Sequence, residues 1–205
     1  MTLHPDNAQL RRPLQPGESH SVLTIGYGGD TLEGFIKRLG SGGVTHVADV
    51  RSMPYSRHRP EFNGPELQYA LKAVDVEYVF LGAELGGRPD DAECYTPDGR
   101  VDYASVRARD YFKSGLERVR RGVERCYKVC LLCSEGRPET CHRTKLIGEA
   151  LVDTFGFNVV HIEVDGCLTP HAEVMERVKG GQQTFEFDDR VHHSVQQYSG
   201  DGSRR

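Results

Sequence analysis

Residues 128–155 read KVCLLCSEGRPETCHRTKLIGEALVDTF, and this stretch decides the fold class. Apolar residues run without a break from Val129 to Cys133. The turn Ser134-Glu135-Gly136-Arg137-Pro138 follows, and a helix is expected over 140–155, where Leu146, Ile147, Ala150 and Leu151 recur at helical spacing. An apolar strand that enters a helix through a glycine-containing turn is the building unit of a parallel sheet buried on both faces.

The same alternation extends in both directions. Ser21–Gly26 is a β-rich run ending in Gly26-Tyr27-Gly28-Gly29. Asp30 is expected to cap a helix, with Glu33 three residues on and Leu32, Phe35, Ile36 and Leu39 on one face; Gly40, Gly42 and Gly43 stop it. A second strand is expected over 44–50. A helix capped by Asn63 or Gly64 follows, with Pro65 in its first turn and Leu67, Ala70, Leu71 and Val74 along it. A third strand over 76–81, a long loop over 82–102, a helix over 103–125, a fourth strand over 128–133, a fifth over 158–164 and a last helix over 171–179 complete the pattern. The expected fold is α/β: a mostly parallel sheet of five strands, with room for a sixth, in a three-layer α/β/α arrangement. Strand order is not legible at this level. Residues 1–20, polar and carrying Pro5, Pro13 and Pro16, are expected to be a loose arm, residues 21–180 one domain, and residues 181–205 a loose tail. Within that tail, Phe185 and Phe187 alternate with acids and allow a short edge strand.

Composition narrows the classes. The chain has 205 residues, with 26 basic against 30 acidic groups and a formal charge of −4. Any nucleic-acid contact therefore needs a local patch. No apolar run approaches the roughly 18 residues of a membrane span. The first residues carry no apolar stretch of signal-peptide length, so a cytoplasmic protein without a membrane partner is expected. Its six cysteines are then expected to be reduced. Oligomeric state is left open, a homodimer included.

The long loops follow the carboxyl ends of strands, where open α/β sheets bind ligands. The loop after the second strand carries Asp49, Arg51, Ser56, Arg57, His58 and Arg59; the next carries Gly86, Gly87 and Arg88. The loop after the fourth strand carries Cys133, Ser134, Glu135, Arg137, Cys141, His142 and Arg143. Arginine forks suit carboxylate or phosphate, and a helix start near Thr140 adds N–H donors. The expectation is an anionic site for a phosphate-bearing small molecule or nucleic acid, with no cofactor. Cys133 is expected to be an activated thiolate, nucleophile or redox centre, with Glu135 or His142 moving the proton and Arg51, Arg57 and Arg143 holding the anion. Asp49 is either a base, pairing with Glu135 for N-glycosidic chemistry, or the buried partner of Arg51.

Two other readings stay open. Cys130, Cys133, Cys141 and His142 can be spelled as a zinc or thiol-redox sensor site, although Cys130 and Cys133 on one strand point to opposite faces. A non-catalytic nucleic-acid module would use the loop arginines, Tyr55 and Phe62 for stacking, and the basic face of the helix over 103–125.

Taken together, Thr24-Ile25-Gly26-Tyr27, Asp49-Val50-Arg51 with Pro54 and Ser56, Phe62-Asn63, Tyr78, Leu85-Gly86-Gly87, Cys133-Ser134-Glu135 and Cys141-His142-Arg143 resemble a bacterial and archaeal family called domain of unknown function 488. The likeness covers residues 22–166. It implies a compact α/β domain. On it, Tyr27, Ser56, Asn63, Tyr78, Gly86 and Gly87 join Arg51, Arg57 and Arg143 as expected substrate-binding residues. A looser likeness is to rhodanese-type sulfurtransferases and cysteine phosphatases, which share the strand–Cys–turn–helix order. Those enzymes return an arginine or lysine five or six residues after the cysteine, where this chain has Pro138 and Glu139.

Overall fold

The computed structural model describes residues 20–180 and 193–197. Its main sheet has six strands: β1 (Ser21–Gly26), β2 (His46–Asp49), β3 (Glu77–Phe80), β5 (Val129–Cys133), β6 (Asn158–Ile162) and β7 (Leu168–Pro170). Their order is β3-β2-β5-β1-β6-β7. All pairings are parallel except that of β7, which runs antiparallel on β6. The expected α/β sheet is therefore present, with β7 as its sixth strand.

Side-chain alternation along β5 divides the core in two. Val129, Leu131 and Cys133 face one cluster, with Phe112, Leu116, Leu146 and Leu151; Cys130 and Leu132 face another, with Phe35, Leu39, Leu67 and Leu71. The second cluster is supplied by α1 (Leu32–Ser41) and α2 (Gly64–Lys72). The first takes α3 (Gly82–Leu85), α4 (Tyr103–Ala108), α5 (Asp110–Glu124) and α6 (Glu149–Phe155), while α7 (His171–Gly180) packs by the β6–β7 edge.

Three expectations are corrected in detail. The cap of α1 is Thr31, whose hydroxyl accepts from the Gly34 N–H at 3.1 Å; Asp30 instead accepts from Arg38. The helix expected over 103–125 is broken at Arg109, which has extended backbone (ψ 142). Buried positions explain the break. Tyr103 and Val106 lie on one stripe and Phe112, Leu116, Val119 and Val123 on another, and the step from Val106 to Phe112 fits no continuous apolar face. The helix expected over 140–155 begins with a 3₁₀ turn, Pro138–Thr140, and a π-helical segment, Arg143–Gly148, all of whose residues are buried, before α6. π-Segments recur at functional sites.

The long loop over 82–102 contains α3 and the strand β4 (Arg100–Asp102), which pairs antiparallel with β8 (His193–Gln197). A strand thus stands in the stretch read as a loose tail, later in the chain than the edge strand allowed there. Phe185 and Phe187 lie outside the described residues. Among the described residues no helix is long and apolar enough to cross a membrane.

Connections leave the neighbouring strands β1 and β5 in opposite directions, toward β2 and β6. The crevice beyond their carboxyl ends is the topological switch point of the sheet. The loops after β2, β5 and β1 meet there.

Candidate functional site

The floor of that crevice is built from backbone first. Gly26 of β1 pairs with Cys133 of β5, and the chain after Cys133 folds back over it. The Gly28 N–H donates to the Ser134 carbonyl at 2.9 Å, and Tyr27 N–H to that of Cys133 at 3.3 Å. Only glycine fits at position 26, because a Cβ there would lie 1.8 Å from the Glu135 carbonyl oxygen. Arg143, fully buried, clamps the same loop. Its Nη1 donates to the Glu135 carbonyl at 2.5 Å, its Nη2 to that of Gly136 at 3.1 Å, and its Nε to Thr24 Oγ1 at 3.3 Å. Arg143 is thus spent on the loop, not turned to a ligand as expected.

The clamp presents four polar side chains to one point. Cys133 Sγ donates to Glu135 Oε2 at 2.7 Å, and Cys141 Sγ approaches the same oxygen at 3.4 Å. His142 Nδ1 lies 3.7 Å from Cys133 Sγ and 3.8 Å from Cys141 Sγ. Its Nε2 lies 3.0 Å from the Val50 carbonyl oxygen. Because a carbonyl only accepts, Nε2 carries the proton, and in the neutral ring Nδ1 offers its lone pair to the sulfurs.

Electrostatics in the free protein bear on the expected thiolate. Burial pushes the Cys133 thiol well above its ordinary value, and the neighbouring Cys141 adds to this. The arginines meant to activate it are engaged elsewhere: Arg143 on the carbonyls and Arg51 on Asp49. Burial alone would also raise Glu135, but the S–H donor from Cys133 and the charge of His142 outweigh it and hold the carboxyl at about 2. Glu135 is therefore a carboxylate, able to accept a proton or hold a cation. Burial opposes the charged form of His142, yet Cys133 and Glu135 raise it.

One wall comes from the loop after β2. Asp49 is fully buried and takes Arg51 Nε at 2.9 Å and Nη2 at 2.5 Å, with the Tyr78 hydroxyl donating at 2.7 Å. Of the two roles read for Asp49, the structure thus builds the partner of Arg51. The remaining Arg51 nitrogen, Nη1, is buried without a hydrogen-bond partner among the described residues. The Arg51 guanidinium lies over the Tyr27 ring at 5.5 Å, and that ring stacks on Phe62 at 4.2 Å.

Tyr27 and Arg51 line an open cavity of about 430 Å³, together with Ser52, Met53, Tyr55, Ser56, Gly87, Arg88, Tyr103, Cys133, Ser134, Glu135, Thr140 and His142. Of the expected site residues, Tyr27, Arg51, Ser56, Gly87, Cys133, Glu135 and His142 come together there. Asp49 and Tyr78 stand behind Arg51. Asn63 supports the loop, its Oδ1 accepting the Ser56 N–H at 2.7 Å. Gly86 lets α3 close on Ser52, whose Oγ would be 2.5 Å from a Cβ. Arg57 is exposed and stands outside the cavity lining. The four-residue zinc set is corrected at Cys130, which belongs to the core on the other face of β5. Glu135 takes its place beside Cys133, Cys141 and His142, all four donor atoms lying within 4.8 Å of one another. Sequence reading missed Tyr103, which stands at the start of α4 and joins the cavity lining.

The basic face of α4 and α5 carries its own acids. Arg107 pairs with Asp153, Arg109 with Asp91 and Glu93, Arg118 with Glu84, and Arg120 with Glu117 and Glu124.

Comparison with known proteins finds one family. The family described as "Domain of unknown function DUF488" matches residues 31–150. Searches of curated proteins and of solved structures find no match to this chain.

Proposed function

The chain belongs to the DUF488 family, and we propose that it is a small hydrolase or transferase acting on an anionic, phosphate-bearing substrate such as a nucleotide or a nucleic-acid end. One observation carries the reading. Arg51, whose buried Nη1 has no hydrogen-bond partner among the described residues, lines the same cavity as Cys133, Glu135 and His142, three members of a cluster of four proton-transferring or ligating groups. A buried N–H left unsatisfied costs about 1–3 kcal/mol. A substrate oxygen bonding to it recovers that energy, and Asp49 and Tyr78 hold the fork in place beforehand.

In this reading Arg51 holds the anion, and the exposed Tyr55 at the cavity rim offers a face for a base or sugar. The reacting group sits against Cys133, Glu135, Cys141 and His142. Glu135, ionised and at the cavity floor, accepts the hydrogen bond of the attacking group and orients it, and His142, whose hold on a proton its neighbours strengthen, takes the proton. Cys133, 2% exposed, is held protonated by burial as long as no ion is bound and donates to Glu135; it is not the attacking thiol. Asp49 is committed to Arg51 and Tyr78, so the reading needs no second carboxylate.

The test is a binding and turnover screen with inorganic phosphate, nucleotides and short oligonucleotides. Phosphate is expected to bind the natural protein, to bind Arg51→Lys at least tenfold more weakly, and to bind Arg57→Ala unchanged. Glu135→Gln is expected to keep phosphate binding and lose turnover. Phosphate affinity that is absent, or indifferent to Arg51→Lys, overturns the proposal.

A further inference from the structure

We infer that Cys133, Cys141, His142 and Glu135 form a site for one thiophilic divalent cation, zinc by its donor set, at the floor of the cavity. The inference rests on reading this cluster as the reacting centre and names what occupies it. Zinc bonds of about 2.3 Å to sulfur and about 2.0–2.1 Å to nitrogen set sulfur–nitrogen edges near 3.6 Å in a tetrahedron. The two edges here are 3.7 and 3.8 Å, both ending on the same nitrogen, His142 Nδ1. The same two sulfurs also converge on Glu135 Oε2, at 2.7 and 3.4 Å, so four donor atoms gather about one point.

Outer contacts support the same assignment. A ligating histidine characteristically donates its other ring N–H to a carboxylate or carbonyl, which fixes the ring and its tautomer. His142 has that partner in the Val50 carbonyl at 3.0 Å. The Glu135 carboxylate is likewise steadied, accepting from Ser134 Oγ at 3.2 Å. Gly87 leaves room for the ring, since a Cβ there would fall 2.7 Å from His142 Cγ.

The donors differ in rigidity. Cys133 ends a central strand, and Cys141 and His142 lead into the buried π-segment. Glu135 sits in the loop between them and lies closer to Cys133 Sγ, at 2.7 Å, than a shared tetrahedral ion allows. It would retreat by less than about 1 Å to become the fourth ligand. Three firm donors and one movable donor facing a cavity make an open site, in which a substrate oxygen or water can displace the carboxylate. Binding breaks the two S–H bonds, forms two metal–sulfur bonds, one metal–nitrogen bond and one metal–oxygen bond to Glu135, and releases two protons to solvent. The metal keeps its oxidation state. Two soft sulfurs and an imidazole favour zinc over magnesium or calcium.

The full-length protein, stripped with a chelator under reducing conditions, is titrated with cobalt(II) and then with zinc(II). The expected result is a thiolate-to-cobalt charge-transfer band and tetrahedral d–d bands saturating at one equivalent. Zinc should bleach both and release two protons per chain in weakly buffered solution. Cys141→Ser and His142→Gln should each weaken cobalt binding on the order of a hundredfold, whereas Cys130→Ser and Cys167→Ser should leave it unchanged. Melting curves recorded on the same samples identify a variant that has not folded, and Glu135→Gln then serves as a milder probe, expected to shift the d–d bands while keeping the thiolate band. Absence of a thiolate band in the folded natural protein, or its persistence in the folded Cys141→Ser and His142→Gln proteins, overturns the site. Phosphate binding measured on the metal-free samples separates the two proposals. A cobalt site without phosphate binding ends the substrate reading alone, and phosphate binding without a cobalt site ends the metal reading alone.

Discussion

Gly87 lies flat against the His142 ring: a Cβ on it would come 2.7 Å from Cγ and 2.8 Å from Nδ1 of the imidazole. Contacts that short do not occur, so an alanine must push the ring away from Val50 and from the two sulfurs. Gly87→Ala is therefore expected to weaken cobalt(II) binding by roughly tenfold or more, as loss of an orienting contact does. Gly29, which has no atom of the described residues within 4 Å of its added Cβ, is the control, and Gly29→Ala should leave the spectrum unchanged.

Asp49 and Arg51 are both nearly inaccessible, at 0% and 5% exposed. Removing one member of a buried pair strands the other charge and costs about 3–5 kcal/mol. Arg51→Ala should lower the unfolding free energy by that amount in a urea titration. The double variant Asp49→Asn, Arg51→Ala should recover a large part of it, because no unpaired carboxylate remains. A double variant as unstable as the single one would show that packing, not charge, sets the cost.

His161 makes stability pH-dependent. It is buried between Thr24, 2.7 Å from Nδ1, and His171, 3.0 Å from Nε2. Burial first, then the charges of His171, Arg143 and Arg177, lower it to about 2. The folded state therefore holds the ring neutral, while the unfolded chain binds a proton below about pH 6.5. The His161 contribution is fully present above that value and is lost as pH falls from there toward 2. The slope from this group approaches ~1.36 kcal/mol per pH unit. Chemical denaturation at a series of pH values should show this limb, and it should flatten by about one proton in His161→Gln.

Thiol chemistry separates exposure from position in the site. Cys167 is exposed, whereas Cys133 is buried and its thiol pushed up. With limiting iodoacetamide at mildly alkaline pH, peptide mapping should find Cys167 alkylated well before Cys133. Faster labelling of Cys133 in the metal-free protein would restore the activated thiolate that the sequence suggested.

Much of the fold is legible along the chain. Val129 to Cys133 reads as a buried strand because both sheet faces are covered and every position must be apolar. Leu146, Ile147, Ala150 and Leu151 announce the helix after it. The break at Arg109 is also written there, as a phase shift between Val106 and Phe112, but a row of good helix formers on the polar face hides it. The π-segment has no such mark: its residues are all buried, so no polar face reports the wider turn.

Residue type by itself placed an arginine-rich, sulfur-containing edge at the carboxyl ends of the strands, because parallel sheets put their long loops there. It could not rank the arginines. Arg51, Arg57 and Arg143 look alike as letters, yet one is planted by Asp49 beside a cavity, one points to solvent, and one is consumed by two carbonyls. Nor could it replace Cys130 with Glu135 in the donor set, since strand parity removes the first and only the fold-back of residues 134–136 over Gly26 supplies the second. Local sequence dictates periodicity and chemistry. Which groups share a point in space is set by strand order β2-β5-β1, through contacts between residues more than eighty positions apart, such as His142 with Val50.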